Sequence, residues 1–422
     1  MPGGILRVLM IPGYFPDDSG PAALLAWGRA RFRETKVKAG ASVDRQSVSN
    51  IAVKRLNMRA VFLHLMERGP ASVRDISVAL GLSMPTVIQN LNELSERRLA
   101  LVEGMQESTG GRKARAYGVN ERACFAAGLD VTRADVSLSV LGLRGQAVLN
   151  VKSKLPFGDR PEYYEKLGRF LGDQLEKADI RPEELVGVGI SLPAIIAGDG
   201  QSTTNADPLG KRIVQLENFK RCIPWPCRLL NDANAGGYAE FWAGNPIARE
   251  QEHRNLVYLS VSNTVGGSVL IDGRMFGGDE QHSAEFGHMT LVPGGKFCYC
   301  GQKGCAYCYV NTRILSDAGG TLEGFFRLLK KGEANARAVW DEYLGNLALL
   351  INNIRCAYDC EVVVGGYLGR FLPPYLEELR ARAAVRNIFE RSGQYVRAWA
   401  EKGADAATGA ALTCLHSFIE EI

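Results

Sequence analysis

The sequence predicts a mixed α/β protein that opens with a winged helix-turn-helix. Two observations carry that expectation. Between residues 56 and 96 apolar residues recur at helical spacing, and glycines interrupt the pattern twice. After Asn120 the texture changes to short apolar strands alternating with a helix, the mark of α/β layers.

The first helix is expected over Leu56 to Glu67, with Val61, Leu63, Leu65 and Met66 inward and a stop near Gly69-Pro70. Ser72 is placed to cap a second helix that runs to Leu80, and Gly81 breaks it. Ser83-Met84-Pro85-Thr86 then opens a third helix, to Glu96, whose inward face is Val87, Leu91 and Leu94. Helix, Gly-containing turn and helix at this spacing form the helix-turn-helix pattern, with Ser83 to Glu96 as the reader. Its outward face would carry Ser83, Thr86, Gln89 and Asn90, short polar side chains able to reach base edges. Leu99 to Val102 and Arg115 to Val119 read as a two-stranded wing with the tip Thr109-Gly110-Gly111-Arg112-Lys113, where Arg112, Lys113 and Arg115 would meet phosphate or the minor groove. Charge agrees: residues 1–120 carry 17 Lys+Arg against 10 Asp+Glu, whereas residues 121–422 carry 33 against 36. A basic front on a slightly acidic body points to a polyanion partner. The competing reading is a three-helix module that binds protein alone.

Further on, strands are expected over Phe125 to Val131, Val136 to Leu141, Gln146 to Val151 and Val186 to Leu192, with a helix around Tyr163 to Ala178 and more strand between Leu256 and Ile271. A chain of 422 residues with 46% hydrophobic content can fill two or three folding units. The expected division is an extension over 1–50, a DNA-binding domain over 51–120 and a larger domain over 121–422. The extension, with Gly3-Gly4, Asp17 to Pro21 and a basic Arg29 to Lys38 run, reads as a mobile arm or as translated sequence upstream of the usual start. No apolar run approaches the ~18 residues that span a bilayer, and the Pro and Asp residues after Ile11 make a poor signal-peptide core. Ten cysteines, several at metal spacing, fit a reducing compartment, with the cytoplasm the natural place.

The densest chemistry lies in Glu285-Phe286-Gly287-His288 and Cys298-Tyr299-Cys300-Gly301-Gln302-Lys303-Gly304-Cys305. Three thiolates and an imidazole, with glycines at the bends, suit one tetrahedral Zn²⁺: His288, Cys298, Cys300 and Cys305. The plainer alternative is a set of unrelated reduced cysteines. Cys308 is a rival ligand, or a small apolar residue opening the next helix.

These residues resemble the ROK family of repressors, open reading frames and kinases, whose sugar-binding signature E-x-G-H followed by C-x-C-G-x-x-G-C is matched in type and order. Asn231-Asp232-Ala233-Asn234-Ala235 is similar to its N-D-A-N-A segment, and Gly187 to Pro193, Glu361 to Gly366 and Gly403 to Ala411 fall where the family has related patterns. The likeness covers about residues 51 to 422. It implies two lobes of the actin and hexokinase (ribonuclease H-like) type, a sugar cleft between them, and a C-terminal helix packed back on the first lobe. It also implies sugar contacts at Asn231, Asp232, Glu285 and His288, Asp232 being the general base of family kinases. Asn231-Asp232 has a second reading as a helix cap, and Asn205 is either a further sugar contact or a turn residue. Three departures stand out. Asp130-Val131-Thr132-Arg133-Ala134 replaces the phosphate turn D-x-G-G-T, Ser262 to Ser268 keeps only two glycines of G-T-G-I-G-G-G, and Tyr307 replaces a sugar-binding Glu. In the wing, Lys113 replaces the Pro of G-G-R-P. The expectation is a sugar-responsive transcriptional regulator, a repressor, that binds operator DNA as a homodimer or dimer of dimers and carries structural Zn²⁺ without catalysing phosphoryl transfer. The alternatives are an ATP-dependent sugar kinase with an appended DNA-binding domain, and a regulator controlled by a protein partner in place of a sugar.

Overall fold

A computed structural model describes residues 50–106, 114–243, 254–399 and 405–422. The expected extension and the wing tip, including Arg112 and Lys113, lie outside the described residues. Residues 54–422 form one compact unit.

The front of the chain is α1 (Asn50–Arg68), β1 (Ala71–Ser72), α2 (Val73–Leu80), α3 (Met84–Glu96), β2 (Ala100–Gln106) and β3 (Ala114–Val119). Ser72 caps α2 in a reciprocal box with Asp75, so two otherwise orphaned amides at the helix start are satisfied. Gly81 ends the helix in the left-handed region, at φ 64°, and Ser83 caps α3 through the Thr86 amide. Val61, Leu65, Ile76, Val87, Leu91 and Leu94 are fully buried, as helical spacing requires. The sheet has the order β1-β3-β2. Its third strand, β1, was not foreseen, because two residues are too few to show a period of two.

Two five-stranded sheets follow. The first has β4 (Phe125–Val131), β5 (Val136–Gly142), β6 (Ala147–Ser153), β7 (Leu185–Leu192) and, after β8 (Ile195–Ile196) and β9 (Thr203–Asn205), β10 (Cys227–Asn231). Helix α4 (Pro161–Lys177) connects β6 to β7, and α5 (Leu216–Lys220) precedes β10. The second has β11 (Leu256–Val261), β12 (Val265–Ile271), β13 (Arg274–Met275), β14 (Glu361–Gly365) and β15 (Val396–Ala398). Their orders are β10-β7-β4-β5-β6 and β13-β12-β11-β14-β15. In each, three antiparallel strands precede two that join in parallel, so both sheets repeat one topology. Central β4 is buried on both faces and reads as an apolar run, whereas edge strand β6 alternates toward solvent.

Helix α6 (Asp232–Phe241) leaves β10 toward the second sheet. The helices α7 (Tyr307–Val310), α8 (Arg313–Gly319), α9 (Leu322–Lys330), α10 (Ala334–Tyr358), α11 (Gly366–Gly369) and α12 (Leu376–Arg386) belong to the second half. The last helix, α13 (Ala406–Glu420), packs on β4, β5, β7 and α6, as expected for a terminal helix returning to the first lobe. Residues 407–415 of α13 are buried without a break, so this helix is enclosed on every side. Its far end shares one apolar cluster with the front helices, Leu412, Leu415 and Ile419 joining Met58, Phe62 and Leu65. Arg55 donates to the Glu421 carbonyl at 3.2 Å, and Arg144 to the Met66 carbonyl at 2.7 Å.

Candidate functional site

On α3 the expected reading face is partly realised. Ser83 and Gln89 are exposed and Thr86 is half-buried, but the Ser83 hydroxyl is engaged by the Thr86 amide and hydroxyl. Asn90 corrects the expectation. It is 1% exposed, on the inward face with Val87 and Leu91, and its amide nitrogen has no partner. One residue is 100° of helix, so Ile88 takes the outward position, at 47% exposure. Arg115 is exposed on β3.

The junction of β10 and α6 brings carboxylates together. Asn231 is the N-cap of α6: its oxygen accepts from the Asn234 amide at 3.0 Å and its nitrogen donates to the Ala194 carbonyl at 3.0 Å. The capping reading therefore holds for Asn231, whose amide is spent on the scaffold. Asn205 is likewise a turn residue, accepting from the Asp207 amide at 2.8 Å. Asp232 begins the helix, and burial pushes its carboxyl up to about 6 against the opposing hydrogen bond from the Ala233 amide, with Glu285 adding repulsion. Glu285 is raised by burial, partly offset by His288 and His282. Asp130, at the end of β4, is raised to about 7 by burial first and by Asp232 next, although the Ser191 hydroxyl donates to it at 3.0 Å. Glu285 thus acts on Asp232, His288 on Glu285 and Asp232 on Asp130, which makes these four side chains electrostatic neighbours.

His288 closes a single 3₁₀ turn, Phe286–His288, anchored by buried Phe286. From there the chain enters the cysteine loop. Cys298 N–H donates to the Gln302 carbonyl at 2.8 Å, and Gly301 and Gly304 adopt φ of 87° and 85°. Only glycine fits at 304, where a Cβ would lie 1.9 Å from the Val292 carbonyl oxygen. The loop brings one donor atom each from His288, Cys298, Cys300 and Cys305 within 4.8 Å of one another. Cys300 and Cys305 sulfurs are 3.6 Å apart, and Cys298 Sγ is 3.8 Å from His288 Nδ1. A tetrahedron with ~2.3 Å metal–sulfur bonds separates its sulfurs by about 3.8 Å, so the donor set fits one metal ion. Burial raises the Cys305 thiol to about 12, a cost that a bound cation would reverse by holding the thiolate. Cys308 lies outside this group, in α7, with its thiol on the Phe297 carbonyl at 3.3 Å. The other ring nitrogen, His288 Nε2, meets the Tyr299 hydroxyl at 3.0 Å.

In the turn after β4, backbone donors are engaged locally. Thr132 Oγ1 accepts from the Ala134 and Asp135 amides at 3.3 and 3.1 Å, and the Thr132 amide donates to the Asp135 carbonyl. Where β14 runs into α11, Tyr258 Oη accepts from Gly366 N–H at 3.1 Å and Ser262 Oγ from Tyr367 N–H at 3.0 Å. No helix of the described residues is long and apolar enough to cross a membrane.

The ROK family model matches residues 126–416. A xylose repressor of Bacillus subtilis (strain 168) is 24% identical over 385 residues, covering 88% of this chain and 97% of that protein. The crystal structure of a ROK family transcriptional regulator, a homolog of the E. coli MLC protein, superposes with a TM-score of 0.71 at 18% identity, over 87% of this chain and 98% of that one. The ROK hexokinase of Thermus thermophilus superposes at 0.58 and 24% identity, over 70% of this chain and 99% of that one. The fold is accordingly the actin/hexokinase-like, mixed α/β fold.

Proposed function

This chain belongs to the ROK family, and from that premise we propose that it is a sugar-responsive DNA-binding repressor of carbohydrate-utilisation genes. The observation that carries the reading is a contrast between two neighbouring groups. Asp232, Glu285 and His288 lie beside a metal-ready loop. In the turn after β4, where family kinases have D-x-G-G-T, the Ala134 and Asp135 amides are taken by the Thr132 hydroxyl. A phosphate cradle works through free backbone N–H groups, so the arrangement favours binding without phosphoryl transfer. The likeness to a xylose repressor over most of both chains supports the same assignment.

In this proposal residues 51–120 are a winged helix-turn-helix, with α3 as reader through Ser83, Thr86 and Gln89, and Arg112, Lys113 and Arg115 on phosphate. Residues 121–422 hold the sugar against Asp232, Glu285 and His288. His288, Cys298, Cys300 and Cys305 hold a structural Zn²⁺ that fixes the loop behind Glu285. A homodimer would present two readers to an inverted repeat, and operator binding with reduced thiols places the protein in the cytoplasm. The route from cleft to reader is supported by α13, whose far end shares its core with α1.

The test is fluorescence anisotropy on an operator selected from random duplexes, titrated with neutral monosaccharides. Sugar should weaken operator binding by about 5- to 150-fold in the wild type. Glu285→Ala should bind DNA normally and lose that response. Release of DNA by the variant at the wild-type sugar concentration, or ATP-dependent phosphorylation abolished by Asp232→Asn, refutes the assignment.

A further inference from the structure

Building on the sugar reading of the cleft, we propose that Tyr299 is an internal competitor of the ligand. Its hydroxyl holds the one nitrogen of His288 able to meet a sugar, and a neutral sugar binds by turning it aside.

An imidazole has two nitrogens, and their tasks here are divided. Nδ1 faces the thiols, 3.8 Å from Cys298 Sγ, which makes it the metal-side atom. A histidine bound to metal through Nδ1 carries its proton on Nε2, so Nε2–H is a donor. That donor lies 3.0 Å from Tyr299 Oη. A sugar hydroxyl placed between His288 and Glu285 would accept from the same N–H and donate to the carboxylate. The phenol oxygen therefore stands in for a sugar oxygen, and both cannot be bound at once.

The surroundings allow exchange. Tyr299 is 64% exposed, so its ring can rotate outward without opening a core. It is held inward by edge contacts, 5.2 Å from the His288 ring and 4.9 Å from the Tyr307 ring. Tyr307 stands where the family has a sugar-binding carboxylate, so at this wall an aromatic pair replaces an acceptor. Asp130, Asp232 and Glu285 supply buried carboxyls able to hydrogen-bond sugar hydroxyls, which suits an uncharged sugar. Tyr299 also sits between two metal-ligand cysteines, so turning it aside acts directly on the metal loop.

Tyr299→Phe keeps the ring and removes only the competing oxygen. The full-length protein, checked for equal metal content, is labelled with ¹⁵N-histidine, its five histidines giving a sparse spectrum. In the wild type the Nε2–H signal of His288 should be slow to exchange with water, and in Tyr299→Phe it should exchange about fivefold faster, as expected when a hydrogen bond worth about 1 kcal/mol is lost. Calorimetry with D-xylose, D-glucose and N-acetyl-D-mannosamine should then show about fivefold tighter binding to the variant for whichever sugar the wild type binds. Unchanged exchange would mean that Tyr299 does not cap His288. Equal or weaker sugar affinity in Tyr299→Phe would make the phenol a bystander or a direct sugar contact, overturning the competitor while leaving the repressor reading intact. Absence of binding by all three sugars to both proteins would count against the sugar reading itself, and the competitor would fall with it.

Discussion

Replacing Gly409 by Ala sets two effects of opposite sign against each other. In a helix interior Ala is favoured over Gly by up to ~1 kcal/mol. Gly409 lies in α13 where that helix crosses α6, and a Cβ there would fall 1.8 Å from the Ala235 carbonyl oxygen and 3.1 Å from the Ala239 nitrogen. Regaining ordinary contact at 3.4 Å requires the helices to part by about 1.6 Å. The obstacle is backbone, which cannot swing away as a side chain can. On its other side α13 rests on the sheet equally closely, since a Cβ at Gly128 would lie 1.8 Å from the Ala407 oxygen and one at Gly189 2.2 Å from the Ala410 oxygen. The helix is thus wedged. Overpacking of this kind costs ~1 to 3 kcal/mol or more, which outweighs the propensity gain. Gly409→Ala should lower the urea midpoint followed by tryptophan fluorescence, with a net loss of about 1 to 2 kcal/mol. Gly345→Ala in α10 is the control, because nothing lies within 4 Å of its Cβ, and it should gain ~0.5 to 1 kcal/mol. If both variants gain equally, the contact between α6 and α13 is not as close as described.

Asp130→Asn should remove a pH dependence. Because the folded pKa of Asp130 is raised from 3.8 to about 7, the native state holds a proton that the unfolded state releases, so stability falls as pH climbs from about 4 to 7 and stays lower above it. The Asn variant should be the more stable form at pH 8 and show a flatter profile in urea unfolding between pH 5 and 8; an unchanged profile would mean that the Asp130 carboxyl is hydrated. Asn90→Leu should leave operator affinity within about twofold and stabilise the protein or leave it neutral, since an unpaired buried amide is costly, whereas Gln89→Ala should weaken specific binding by ~1 to 3 kcal/mol; the reverse pattern in anisotropy titrations would restore Asn90 to the reading face. Purified protein should hold about one Zn²⁺ per chain by atomic emission, and Cys300→Ser should lose metal and unfold at lower urea, because a structural ion's binding energy is folding energy. Metal-free, fully stable wild-type protein would end that assignment.

What could be read from the sequence follows a physical division. Elements with a local signal were legible: Ser72, Gly81 and Ser83 bound the front helices because caps and left-handed glycines act within a few residues. The cluster of His288, Cys298, Cys300 and Cys305 was legible because these residues lie close in sequence around glycines that few other residues could replace. Long-range facts were not. Asn90 was placed outward because a polar side chain was equated with exposure, although its phase matches Leu94 and Val87. Asp130 and Asp232 are 102 residues apart, and their mutual influence depends on the parallel pairing of β4, β7 and β10, which periodicity cannot supply. Tyr299 carried no mark beyond standing between two cysteines, and its importance arises only from which nitrogen of His288 it faces.

For a repressor, the cleft must be connected to the reader, and the same glycines that make α13 fragile supply the connection. Asp232 begins α6, α6 bears on α13 through the Ala235 carbonyl at Gly409, and α13 ends among Met58, Phe62 and Leu65 of α1. Every step in that series is a close, dry contact of backbone or apolar side chains, with little slack to absorb a displacement. A sugar drawing α6 toward Glu285 would therefore bias the seat of α13, and through it α1 and the helices packed on α1. Coupling of ~1 to 3 kcal/mol needs only a small difference in sugar affinity between two such arrangements. Leu415→Ala, at the fully buried step between α13 and the front core, should then uncouple the ends: sugar and operator would each still bind, but sugar would change operator affinity by less than about twofold. Full wild-type release by sugar in that variant would show that the signal travels by another route, through contacts between lobes or between subunits.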